Sequence, residues 1–330
     1  MKRFESILCV VETGELGKSA LERAVTLAES HQTRLTVIDV IQGVSAARAR
    51  MQDGGAISGN LQGAMVRQRE ARIVSLLEPY RQRLDVEHRV LMGTPFLEVI
   101  REVLRNGHDL VIKCPESPNW LDRLFSGDDM HLLRKCPCPI WFVKPQAPAT
   151  YRRILAAVDV DDVYPPRELE TRQRLNVQIL EMAASLAISE SAGLHVVHTW
   201  ESISELASDL VFSSGIAREA LHNDIEQERR QQQHLLDACI SDLKITSTAD
   251  RDALDYLQPQ IHLLKGAARK EIPALAKRLA VDCIVMGTVA RTGIPGLIIG
   301  NTAETIPEQI DCSVLAIKPP GFVTPVTLDG

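Results

Sequence analysis

Ile154-Leu-Ala-Ala-Val158-Asp159 echoes Ile7-Leu-Cys-Val-Val11-Glu12, which stands 147 residues earlier. Each is a short, wholly apolar run closed by a carboxylate, the pattern of a strand buried on both faces. The echo continues downstream. His108-Asp-Leu-Val-Ile-Lys113 corresponds to Val281-Asp-Cys-Ile-Val-Met286, and Cys138-Pro-Ile-Trp-Phe-Val-Lys144-Pro145 to Cys312-Ser-Val-Leu-Ala-Ile-Lys318-Pro319, at offsets of 173 and 174. One unit is therefore present twice, and the second copy carries roughly 26 additional residues in its middle.

Between the apolar runs lie helical periodicities. The first copy reads as strand 4–11, helix 17–31, strand 34–41, helix 64–84, strand 86–91, helix 95–106, strand 109–113, helix 127–135 and strand 139–144. The second reads as strand 153–158, helix 167–191, strand 193–200, helix 217–243, strand 260–264, helix 268–280, strand 282–286, helix 301–310 and strand 313–318. Strands alternating with helices of this length predict an α/β fold, two tandem doubly wound five-stranded parallel sheets with right-handed crossovers. A flavodoxin-like winding places the ligand crevice at the carboxyl ends of the strands, beside the switch point. The expected domains are 1–147 and 151–320, joined at the Pro-rich Pro145-Gln-Ala-Pro148-Ala-Thr150. An extended tail, 321–330, is placed to cross onto the other domain.

Composition narrows the function. At 330 residues, 45% of them apolar, each half can bury a core, and with only 4% aromatics that core is aliphatic. A net charge of −6 excludes the basic face that nucleic acid requires. No apolar run approaches the length of a membrane span, and seven cysteines without framework spacing fit reduced thiols in a cytoplasm.

The strongest constellation is Met286-Gly287-Thr-Val-Ala290-Arg291-Thr-Gly293-Ile-Pro-Gly296-Leu-Ile-Ile-Gly300-Asn301-Thr302-Ala-Glu304, which follows an apolar strand and opens a helix near Asn301. A glycine-bearing loop lets the backbone approach a phosphate, and free N–H groups at a helix start hold the anion. Asp159, at the tip of the first strand of the same copy, would face it across the crevice. The alternative is a plain tight turn with Asn301 as N-cap.

Here the sequence resembles the universal stress protein family, the adenine nucleotide α-hydrolase-like fold. Its members carry a Gly-x2-Gly-x9-Gly-(Ser/Thr) loop after the fourth strand, which in some of them holds ATP. The spacing is kept, with Ala290 in place of the second glycine and Asn301 in place of the hydroxyl residue. The phrases Met-Gly-Thr-x-x-Arg-Thr-Gly-Ile and His131-Leu-Leu-Arg-Lys-Cys-Pro-Cys-Pro are similar to the tandem, E-type members. The resemblance implies a non-enzymatic stress-response protein, with Asp159, Gly287, Arg291, Gly300, Asn301 and Thr302 forming a site for ATP or ADP in the second copy alone. It also implies a pseudo-dimer within one chain, with the fifth strands, 139–144 and 313–318, as candidates for the seam. A further homodimer of the tandem chain stays open.

The first copy has lost the loop. Lys113-Cys-Pro115-Glu-Ser-Pro118 stands where the glycines should begin, and Gly127-Asp128-Asp129 puts two carboxylates at the helix start, where they satisfy the dipole and repel a phosphate. Three other patterns are set aside. Gly14-Glu-Leu-Gly17-Lys18-Ser19 has the wrong spacing for a P-loop. Asp159-Val-Asp161-Asp162 resembles a phosphoaspartyl site but has no partners, so Asp161 and Asp162 are expected to face solvent. His195 and His198, three apart on one strand, point to opposite faces and cannot share a metal. The mixed segments 43–63 and 201–215 read as flaps over the strand ends. They support a second functional class, a carrier of an apolar small molecule or lipid.

Overall fold

The computed structural model describes residues 4–11, 17–42, 55–115, 127–205, 218–246, 252, 255–288 and 310–328. The chain divides into two units. One comprises Arg3–Ala149 with Phe322–Gly330, and the other Thr150–Gly321 with Met1–Lys2.

The first unit contains β1 (Ser6–Val10), α1 (Lys18–His31), β2 (Arg34–Gln42), α2 (Gly55–Leu77), β3 (Val86–Gly93), α3 (Pro95–Asn106), β4 (Leu110–Lys113), α4 (Asp128–Lys135) and β5 (Ile140–Phe142). All its strand pairs are parallel, in the order β3-β2-β1-β4-β5. The second unit contains β6 (Arg153–Ala157), α5 (Pro166–Glu190), β7 (Gly193–Trp200), α6 (Arg218–Thr246), β8 (Gln260–Lys265), α7 (Ala268–Leu279), β9 (Cys283–Gly287) and β10 (Ser313–Ile317). Its order is β8-β7-β6-β9-β10, again parallel throughout. The expected helix 301–310 lies, but for Ile310, outside the described residues.

The doubly wound α/β class holds in both units. Within it the order is 3-2-1-4-5, so the switch point falls between first and fourth strands, where flavodoxin winding would put it between first and third. Crossover length alone does not reveal on which side of the first strand the next one docks. Strands β1, β4 and β10 are buried at every residue and apolar but for Ser6, Lys113 and Ser313, the pattern of strands covered on both faces. The edge strands β3 and β8 are half exposed and interleave charged or polar residues, which discourages edge pairing.

Helix starts and stops follow local chemistry. On α1, Leu21, Ala24, Val25 and Ala28 form the buried stripe, and Gln32 ends the helix at φ 53. A strand-to-helix turn is repeated in both units. Gly93 (φ +156) and Gly266 (φ +134) close the third strands, and the first-turn acids Glu98 and Glu271 fold back over them. A Cβ would lie 2.7 Å from Glu98 Cγ in one case and 2.9 Å from Glu271 Oε1 in the other.

Two boundaries differ from the sequence reading. α2 begins at Gly55, well before 64, so it takes in Gly55, Gly59 and Gly63 from the segment 43–63 that reads as a flap. It is broken at Leu77 rather than 84 because Pro79 removes a backbone donor and leaves a 3₁₀ turn, Glu78–Tyr80. The Pro145–Thr150 segment is also tied down. The buried Arg23 of α1 donates to Pro148 O (3.2 Å) and Ala149 O (3.0 Å), with its guanidinium 5.5 Å from the Trp141 ring. The tail belongs to the first unit, where Arg101 of α3 donates from Nε to Thr327 O at 3.4 Å.

Candidate functional site

In the second unit the crevice lies where β6 and β9 run side by side, with Ala157 opposite Met286. That register brings Asp159, just past β6, and Gly287, the last residue of β9, to the same end of neighbouring strands.

Asp159 is held from both sides by Asn176 of α5. Asp159 N donates to Asn176 Oδ1 (3.1 Å), and Asn176 Nδ2 donates to Asp159 O (2.7 Å). The carboxylate is ion-paired with Arg172, one turn earlier on α5. Arg172 in turn donates to Glu168 Oε1 from Nη2 (2.9 Å) and Nε (3.2 Å). Its guanidinium carbon sits 3.6 Å from the centre of the Tyr164 ring, a stacked cation–π contact. Burial first, and then the Asp159 charge, push the Tyr164 phenol up to about 12. Asp159 itself keeps 44% of its side chain open to solvent, whereas Arg172 is buried.

Asp161 does not face solvent as the sequence reading expected. It is half-buried, 3.9 Å from His198 Nε2, and its carboxyl is raised by burial and then by the neighbouring Asp159 charge. Asp162 is the exposed one and accepts from Gln231 Nε2 at 3.0 Å. His198 is buried, its Nδ1 3.3 Å from Val158 O and its Nε2 3.1 Å from the Gln232 amide. His195 points to the other face, its Nδ1 3.1 Å from His262 Nε2 on β8. The two strand histidines thus belong to separate neighbourhoods. Among the described residues no group of three His, Cys, Asp or Glu could hold a metal.

Gly287 is glycine for a packing reason. A Cβ there would stand 2.7 Å from Leu175 Cδ2 and 3.3 Å from Leu175 Cγ, inside the buried contact between α5 and β9. Gly287→Ala is expected to cost about 2 kcal/mol through overpacking. In a Leu175→Ala background the cost of Gly287→Ala should fall below about 1 kcal/mol, read from urea midpoints of the parent, both single variants and the double variant. The remaining expected site residues, Arg291, Gly300, Asn301 and Thr302, lie outside the described residues, as do Ala290 and most of both flaps.

The first unit fills the equivalent place differently. Lys113, at the end of β4 and only 3% exposed, is ion-paired with Asp129 in the first turn of α4. Burial raises the neighbouring Asp128 carboxyl, with the Lys113 charge as the main opposing influence. The described end of the P-loop-like stretch, Gly17 to Ser19, starts helix α1. Ser19 donates to Lys144 O (3.2 Å), and Lys18 is exposed beside Glu22.

Sequence reasoning named Asp159 and Gly287 as expected site residues and did not name Glu168, Arg172 and Asn176, which the structure groups around Asp159. Their spacing of four along the helix after Asp159 was the available signal, since it aligns three polar side chains on one face of α5.

The fold and this site define a duplicated α/β protein with a carboxylate and a glycine facing one crevice. A family model, the universal stress protein family, matches residues 3–144 and again 150–318. The chain is 29% identical to universal stress protein E of Escherichia coli K12, across 100% of this chain and 98% of that protein. It is 28% identical to the Haemophilus influenzae homologue, across 96% and 98%. Among solved structures, a protein of unknown function from Pseudomonas aeruginosa PAO1 superposes with a TM-score of 0.60 at 26% identity, covering 96% of this chain and 93% of that one. A universal stress protein from Archaeoglobus fulgidus shares the fold with a TM-score of 0.58 at 15% identity, covering 95% and 98%. The chain belongs to the universal stress protein family. It is a tandem stress-response protein, similar along its whole length to the E-type members. Among the described residues no helix is long and apolar enough to cross a membrane.

Proposed function

We propose that the protein is a non-enzymatic, cytoplasmic stress-response protein whose second unit binds an adenine nucleotide, ATP or ADP. Asp159 accepts from the ribose or the base. Gly287 opens the loop in which Arg291, Gly300, Asn301 and Thr302 contact the phosphates. The observation that carries this reading is the β6–β9 register, which sets a part-exposed carboxylate beside the start of the glycine loop at the switch point. The first unit stays nucleotide-free, because Asp129 already supplies an anion to the buried Lys113.

Titration of the full chain with ATP and ADP tests this. A ligand of the folded state at a hundred times its Kd stabilises by about 2.7 kcal/mol, so both the heat of binding and the melting temperature should respond. No heat and no melting shift at millimolar nucleotide would overturn it.

A further inference from the structure

The geometry points to Arg172 as a built-in occupant of the adenosine side of this site, which an incoming ligand has to displace. The inference rests on the nucleotide reading above and adds to it what controls the site.

The guanidinium is engaged on every side that the structure describes. Its edge donates to Asp159 and Glu168, and its face lies on the Tyr164 ring at 3.6 Å. A flat group with N–H donors on its rim, stacked on an aromatic ring and donating to a carboxylate, is also a description of an adenine base. Tyr164 and Asp159 together form a receptor for such a group, and Arg172 fills it from within the chain. Asn176 grips the Asp159 backbone through both N–H and C=O, which fixes the point from which the carboxylate projects. The movable partner is the Arg172 side chain. Its displacement leaves Asp159 and Glu168 without that cation, which makes the open state the less populated one. Apparent affinity falls by the fraction of molecules in that open state.

The test compares adenosine and ATP binding to the full-length protein by calorimetry, for the wild type, Arg172→Met and Arg172→Lys. Adenosine is the decisive probe, because it carries no phosphate charge to be repelled by Asp159 and Glu168. Arg172→Met is expected to bind adenosine at least tenfold more tightly than the wild type, with a smaller gain for ATP. Arg172→Lys keeps the charge but loses the flat face, so it should lie between them, and it serves if the Met variant does not fold. Equal or weaker adenosine binding in the variants, with ATP still bound by the wild type, overturns the occupant role and leaves the nucleotide reading standing. Absence of binding of either ligand to all three proteins overturns both.

Discussion

Replacing Asp129 by Ala is expected to lower the unfolding free energy by about 3 kcal/mol, because it strips a buried ammonium of its carboxylate. Lys113 ends β4 with 3% of its side chain exposed, and Asp129 meets it from the first turn of α4. The neighbouring Asp128 carboxyl is itself raised by burial, against the opposing Lys113 charge. The double variant Lys113→Met with Asp129→Leu should recover most of the loss. It removes both charges and fills the volume with apolar atoms, a replacement that is often neutral. Urea denaturation at pH 7 of the two proteins beside the parent reads the result. A loss below about 1 kcal/mol for Asp129→Ala would mean that another group neutralises Lys113.

Acid should weaken the fold well before carboxylates are protonated. His108 is buried against Ser6 Oγ at 2.8 Å, and its pKa is lowered to about 4. Burial is the first cause, the positive fields of Arg34 and Arg89 act with it, and Asp109 and Glu87 oppose. His195 and His262 are lowered as well, by burial first, then by each other in the case of His195, with Arg153 and Arg278 adding to the effect. A 3.1 Å contact between two ring nitrogens holds one proton and has no room for two. Such histidines stay neutral in the folded chain while the unfolded chain takes up protons below about pH 6.5. Stability is therefore full above pH 6.5 and falls as pH drops towards 4. His108 alone accounts for about 2 kcal/mol by pH 5. The raised carboxyls of Asp128 and Asp161 work in the opposite direction. Urea midpoints at pH 7.5 and 5.0 should differ accordingly, and the difference should shrink in His108→Gln. Equal midpoints in the parent would refute the account.

Most of the architecture was legible because a buried parallel strand leaves a continuous apolar run, and the runs ending at Glu12 and Asp159 advertise the duplication by themselves. Boundaries failed where a mixed, glycine-bearing segment hides a helix, as at Gly55, Gly59 and Gly63, which α2 absorbs. The strand order was not legible, since it depends on which side of β1 a crossover lands. At the site, the chain pattern locates a carboxylate but not what that carboxylate already holds. Arg172 is one polar residue among many on α5 until the helix is docked and its guanidinium is seen between Tyr164 and Asp159. Asp161 shows the same limit in reverse. Three carboxylates in four residues look like a solvated loop, yet one turns inward beside His198. Gly287 was named for the loop that it opens, and the structure ties it to the bulk of Leu175.

The grouping of Phe322–Gly330 with the amino-terminal unit sets an order of events during translation. The residue that receives the Arg101 hydrogen bond, Thr327, is made only after every residue of the other unit. The half synthesised first is thus the last to be completed. A ribosome stalled between residues 150 and 321 would display a first half that still lacks the Thr327 carbonyl for Arg101.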